Sequence, residues 1–185
     1  AVATRMTVAE AFAEHAGIDL LATLTETGAD RDELAGAAAD IGVRVAADDT
    51  WSDLFSRIMV ERIEPAIGNG RATILTEFPA VEAALARRCS HDPRVSERFE
   101  VYACGVELAN CFGELTDPVE QRRRFELEMD EKQRLYGGRY PIDEDFLAAL
   151  EVMPQTSGGA LGFDRLVMLA TGAAHIDQVL WTPIA

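Results

Sequence analysis

The stretch Arg94–Asp117, RVSERFEVYACGVELANCFGELTD, constrains the fold more than any other, because it reads as two short strands closed by Cys104-Gly105. Glu97–Tyr102 and Val106–Phe112 alternate or run apolar at strand length, and a two-residue link ending in Gly suits a tight hairpin turn. If Ala103 pairs with Val106, then Tyr102 faces Glu107 and Glu100 faces Ala109. That register sets Glu100 and Glu107 diagonally on one face of the ribbon. Carboxylates so close repel, so one pKa rises unless a cation sits between them, and oxygen ligands on a rigid sheet suit Mg²⁺. Spacing alone favours an exposed acidic sheet face, the usual fate of glutamate.

What surrounds the hairpin is mostly helical. Thr7-Val-Ala-Glu10 has capping-box form and opens a helix that ends near Gly17; Asp30 through Glu33 repeats the pattern and leads a helix to about Asp40, with Ile41–Val45 as a short extension. Thr50 caps the strongest helix, with Trp51, Leu54, Phe55, Ile58, Met59 and Ile63 on one stripe; Trp51 and Phe55 are expected in the core. Ala72–Phe78 reads as a strand, and Pro79 is expected to start a short helix through Arg88. After the hairpin, Asp117 caps a long charged helix to about Tyr136, and Asp143–Leu150 forms another. Thr156–Gly172, TSGGALGFDRLVMLATG, reads as strand, turn and helix. Its glycines admit a ligand close to the backbone, and the helix N-terminus beside Arg165 suits an anion such as a polyphosphate. A Gly-rich bend with Arg165 in a surface ion pair is the plainer alternative.

Composition narrows the function classes. A chain of 185 residues that is 48% hydrophobic can bury a core without staples, and a formal net charge of −15 argues against a general phosphate-backbone binder. The basic run Arg122–Arg124 lies among acids and is expected to be a solvated face. Cys89, Cys104 and Cys111 lack the spacing of a disulfide framework or a zinc site, which fits a reducing cytosol. His15, His91 and His175 are scattered and read as structural or exposed. Charges interrupt Thr7–Leu24, so neither a signal peptide nor a membrane span is expected there.

The acidic hairpin, the capped helix and the Gly-rich strand-turn-helix together resemble the C-terminal half of a class II lysyl-tRNA synthetase catalytic domain. RFE, a glycine turn, ELANCFGELTD and GALGFDRLVMLATG carry the resemblance, from about Arg71 to the C-terminus. It implies an α+β fold, a mainly antiparallel sheet flanked by helices, with residues 1–69 as a helical segment and 70–185 as the C-terminal part of the domain. It further implies that Glu100 and Glu107 bind Mg²⁺ and ATP, that Asn110, Phe112 and Glu114 contact the amino acid, and that Arg165 takes the γ-phosphate. Gly158, Gly159 and Gly162 would floor the site.

Within that family, HDPRVSERFEVY, ELAN…ELTD, YPIDEDFLAAL and Ala160 in place of Gly resemble the short paralogues that lysylate elongation factor P. The Ala160 methyl is expected to reshape the amino-acid pocket and favour β-lysine over α-lysine. The implied activity is activation of lysine or β-lysine as an adenylate and transfer to elongation factor P, by a cytoplasmic, membrane-free enzyme whose full-length form is a homodimer. Lysylation of tRNA-Lys is one alternative, and a non-catalytic synthetase-like binding module is another.

Two departures shape the expectations. Cys111 stands where the family carries Gly, which implies a smaller or altered pocket. No segment of Ala1–Asn69 resembles the first or second class II motif, so the chain is expected to hold half an active site and to be inactive alone. A fragment of a ligase, a truncated paralogue and a partner-dependent subunit all fit, the fragment most simply. Finally, strict alternation puts Glu107 and Asn110 on opposite faces although the resemblance needs them in one pocket, which predicts a bulge between Leu108 and Asn110.

Overall fold

The computed structural model describes residues 2–182. In chain order the elements are β1 (Thr4–Thr7), α1 (Val8–Ala16), α2 (Arg31–Asp40), α3 (Trp51–Ile58), β2 (Thr73–Thr76), β3 (Arg98–Ala103), β4 (Val106–Gly113), α4 (Pro118–Tyr136), α5 (Glu144–Val152), β5 (Ser157–Leu161) and α6 (Phe163–Thr171). The strands form one sheet in the order β1-β2-β3-β4-β5. Only β1 and β2 run parallel; the other pairs are antiparallel, as the α+β reading requires.

The helices start where local chemistry dictates. Thr7 and Thr50 both make capping boxes, with Glu10 and Asp53, so the first free N–H groups of α1 and α3 are satisfied from their own side chains. Gly17, Gly137 and Gly172 end α1, α4 and α6 in the left-handed conformation. The apolar stripes then meet: Phe12 stacks on Phe55 at 5.3 Å and Trp51 on Phe55 at 5.2 Å, while Trp51 Nε1 donates to buried Thr23 Oγ1 at 3.1 Å. Leu75 of β2 and Tyr102 of β3 complete this cluster, so the first three helices cover part of one sheet face. Ile41–Val45 adds no helix, because Gly42 turns the chain at φ 75°.

The hairpin closes as expected. Cys104 and Gly105 have φ of 53° and 71°, the signs that a type I′ turn demands at both central positions, and Ala103 pairs with Val106 and Tyr102 with Glu107. Beyond Tyr102 the register slips: Val101 pairs with Ala109, and Leu108 is left without a partner in β3. Glu100 therefore faces Asn110, not Ala109.

One strand was not anticipated, and two local expectations are corrected. β1 had no strand signature of its own; it forms because Thr4 N–H reaches Ala72 O at 2.9 Å and docks the chain beside β2. The segment after Pro79 makes only a single 3-10 turn, Ala80–Glu82. Its remaining backbone groups are claimed by neighbouring strands: Arg87 N–H donates to Gly113 O and Arg87 O accepts from Glu97 N–H, both at 2.7 Å. Arg124 is not a solvated charge; it is buried and its Nη1 donates to the carbonyl oxygens of Ala83 at 2.6 Å and Ala86 at 2.9 Å.

Arg124 also anchors α4 through Glu120, which accepts from Arg123 at 2.8 and 3.0 Å and from Arg124 at 2.9 Å. Those bonds, the one from Arg123 first, hold the Glu120 carboxyl down from 4.5 to about 2 against the opposing effect of burial. A depressed carboxylate stabilises the fold fully above its unfolded value, and the contribution drains as pH falls from about 4.5 towards about 2. Denaturant unfolding at neutral pH and near pH ~3 is expected to show Glu120→Gln costing roughly 1–3 kcal/mol at neutral pH and much less in acid.

Candidate functional site

The unpaired residue in β4 decides what the acidic hairpin can do. Without it, Glu107 and Asn110 would point to opposite faces; with Leu108 inserted, both share the face of Glu100 and Tyr102. The bulge lies at Leu108 itself, the near edge of the interval predicted. Its carbonyl is still used, since Gly162 N–H donates to Leu108 O at 2.8 Å. That bond fixes the start of α6 beside the hairpin. Arg165, one turn in, then donates from Nη1 to Glu107 O at 2.9 Å and to Glu107 Oε2 at 3.3 Å.

One row of the sheet carries Leu75, Glu100, Asn110 and Ala160; the next carries Arg98, Phe112 and Gly158. A Cβ on Gly158 would collide with Glu114 Oε1, so the absence of a side chain there lets that carboxylate lie over the strand. The structure thus sets Glu100, Glu107, Asn110, Phe112 and Ala160 on one sheet face, with Gly162 and Arg165 at its Glu107 end and Glu114 over Gly158 at the other. Cys111 is the exception. It alternates to the opposite face, where its Sγ occupies the space a Cβ at Gly159 would need, so it does not narrow the Asn110 face.

Glu100 is buried and fully engaged: Arg98 Nη2 donates to Oε1 and Tyr102 OH to Oε2, both at 2.6 Å. Arg98 is itself held by Glu82 O at 2.6 Å and lies over the Phe78 ring at 4.4 Å and the Phe112 ring at 5.8 Å. Burial, then the charge of Glu100, pushes the Tyr102 phenol far up, so it stays a hydrogen-bond donor. Sequence reasoning missed Arg98 as the clamp on Glu100. The clue was its place two residues before Glu100, on the same face of a strand.

A groove of about 240 Å³ runs between the end of α3 and the hairpin and is lined by Glu64, Arg98, Glu100, Tyr102 and Glu107. A larger cavity of about 650 Å³, by Arg87, Glu97, Arg98, Phe112 and Gly113, reaches neither Glu100 nor Glu107, which both line the smaller groove. Glu64 was not anticipated. Burial, followed by the charges of Glu100 and Glu107, raises its carboxyl above the ordinary range, and Arg165 opposes the shift.

Among the described residues no three Cys, His, Asp or Glu side chains converge on one direct ligand shell. The donor set is nevertheless hard oxygen, and Mg²⁺ binds through one or two carboxylates while keeping water or phosphate oxygens. Asn110 Oδ1, shielded from solvent and without a partner among the described residues, is a further oxygen acceptor opposite Glu100. The residues present therefore fit such an ion with Glu100 and Glu107 as its holders.

A five-stranded mixed sheet flanked by helices, with acidic and amide side chains beside a Gly-rich strand-turn-helix, is consistent with part of a class II synthetase domain. The chain belongs to the family of class II tRNA synthetases (D, K and N), whose model matches residues 3–185. Its relatives include proteins named elongation factor P–(R)-β-lysine ligase. The one from Proteus mirabilis is 46% identical over 180 residues, 95% of this chain and 53% of the relative. Those from Edwardsiella ictaluri and Haemophilus influenzae are 44% and 42% identical over 176 and 170 residues, 92% and 91% of this chain and 52% and 51% of each relative. The chain spans about half the length of the curated relatives it matches.

Gly158→Ala is expected to swing Glu114 off the strand while sparing the fold, because the colliding atom is the free end of a flexible side chain. Denaturant unfolding should change by less than about 1 kcal/mol. The carboxyl ¹³C resonance of Glu114 should shift.

Proposed function

We propose that this chain carries the C-terminal part of an ATP-dependent ligase site that activates (R)-β-lysine and passes it to a lysine side chain of elongation factor P. The observation that carries the reading is the bulge at Leu108, which gathers Glu100, Glu107 and Asn110 on one face beside Arg165. The names of the relatives supply the amino acid and the acceptor. In this reading residues 1–69 are the helical cover of the catalytic domain and residues 70–185 its C-terminal part. The whole protein acts as a homodimer in the cytoplasm.

The chemistry follows from the residues. A carboxylate oxygen of the amino acid attacks the α-phosphorus of ATP, forming the acyl-phosphate bond of an adenylate as the bond to pyrophosphate breaks. The acceptor amine then attacks the acyl carbon, and AMP leaves. Glu114, seated over Gly158, complements the side-chain ammonium of the incoming amino acid, while Asn110 and Phe112 form the wall beside it. Arg165 lies on an exposed helix start, where its guanidinium can exchange Glu107 for a terminal phosphate and offset the charge gathering on the leaving group. Glu100, held rigid by Arg98 and Tyr102, and Glu107 would hold Mg²⁺. When bound, that ion neutralises phosphate charge.

Ala160 pairs with Asn110 across β4 and β5, which supports reading its methyl as a selector between the two lysine isomers. Pyrophosphate exchange tests the whole reading. None is expected from the 185-residue chain alone, and (R)-β-lysine-dependent exchange is expected once it is combined with the N-terminal half of the Proteus mirabilis relative. A strong preference for α-lysine in the combined enzyme would sink the isomer assignment. Ala160→Gly is expected to narrow the preference for (R)-β-lysine by about 10-fold, a loss of ~1.4 kcal/mol in discrimination.

A further inference from the structure

Glu64 has no role in the reaction as derived above, yet the fold delivers it to the reacting groove. α3 does not stop at Ile58. It widens into a π-turn over Met59–Ile63 and tightens into a 3-10 turn over Glu64–Ala66. Met59 and Ile63 are buried in the helical core on one side of Glu64. On the other, Gly68 clips the chain to the hairpin: its carbonyl accepts Cys104 N–H at 2.8 Å, and a Cβ there would press on the backbone of Tyr102 and Ala103 at 3.0–3.1 Å. Glu64 is thus pinned from both directions.

Its surroundings are unusual for a carboxylate. Glu64 is half-buried and lines the groove with Glu100 and Glu107. Glu100 has Arg98 and Tyr102 as partners and Glu107 has Arg165, whereas Glu64 makes no side-chain hydrogen bond or ion pair with any described residue. A half-buried carboxylate beside two others and lacking its own donor is disfavoured unless a cation enters the groove. Asn110 Oδ1, without a partner among the described residues, lies opposite Glu100 on the same sheet face.

We infer that Glu64 is a third carboxylate facing the divalent cation of the reaction proposed above, and that it acts through the water shell of that ion. A water-shell role is the one compatible with the lack, among the described residues, of any three such side chains meeting in one direct ligand shell. It also fits the reluctance of Mg²⁺ to shed water. Glu64 is then a positioning residue: it orients bound water and adds field, while Glu100 and Glu107 hold the ion.

Titrating Mn²⁺ alone into the 185-residue chain, with free ion read by electron paramagnetic resonance, tests this without needing turnover. Wild type should bind; Glu107→Gln should weaken binding by at least ~10-fold, and Glu64→Gln by about 10-fold, with Glu64→Asp recovering part of the loss. Thermal unfolding of metal-free Glu64→Gln should be unchanged or raised, because a crowded charge has gone, which separates an affinity loss from misfolding. If Glu107→Gln weakens binding and Glu64→Gln does not, the role assigned to Glu64 is overturned and the proposed site stands. If neither variant matters, or wild type binds no Mn²⁺, both are overturned.

Discussion

One unpaired residue, Leu108, sets the geometry on which the site depends. A regular hairpin continued from the Cys104-Gly105 turn would send Glu107 and Asn110 to opposite sides of the sheet. The inserted residue restores them to one face and leaves the Leu108 carbonyl free to take Gly162 N–H. That bond extends the β4–β5 ladder to the start of α6 and so brings Arg165 within reach of Glu107. Bulges re-aim side chains with little cost to the surrounding ladder, and here the ladder resumes at once with Val101 opposite Ala109.

The electrostatics are arranged around that face. Glu100 is the most constrained of the acids, because burial is tolerable only with a full set of donors, and Arg98 and Tyr102 provide them. Arg98 in turn is sandwiched by Phe78 and Phe112 and tied to the Glu82 carbonyl, so the residue that steadies Glu100 is steadied by three segments. Glu107 and Arg165 form a looser, partly exposed pair that can open to a ligand. A rigid acid beside an adaptable acid–base pair is a sensible wall for polyphosphate chemistry, in which charge moves and positions must not.

Much of this was legible in advance. Capping boxes at Thr7 and Thr50, the Gly stops and the hairpin turn are local, decided by side chains within four residues of the backbone groups they satisfy. The candidate residues were legible as a motif, and the conflict between strict alternation and a shared pocket for Glu107 and Asn110 exposed the bulge. Less legible was whatever depends on distant backbone. Residues 83–88 lack a helix because Glu97, Gly113 and Leu115 claim their hydrogen bonds, and Arg124 is buried because those freed carbonyls need a donor. Neither cause is visible within the segment itself.

The sequence by itself determined the caps of α1, α3, α4 and α6, the turn, the acidic face and the family, because each rests on short-range hydrogen bonding or on residue order. Only the tertiary structure decided that Thr4–Thr7 joins the sheet, that Cys111 faces away from the pocket, that Arg98 clamps Glu100 and that Glu64 enters the groove. The physical reason is that burial and charge proximity are properties of where segments meet, and a carboxylate on a helix end is indistinguishable from a solvated one until the sheet beneath it is in place.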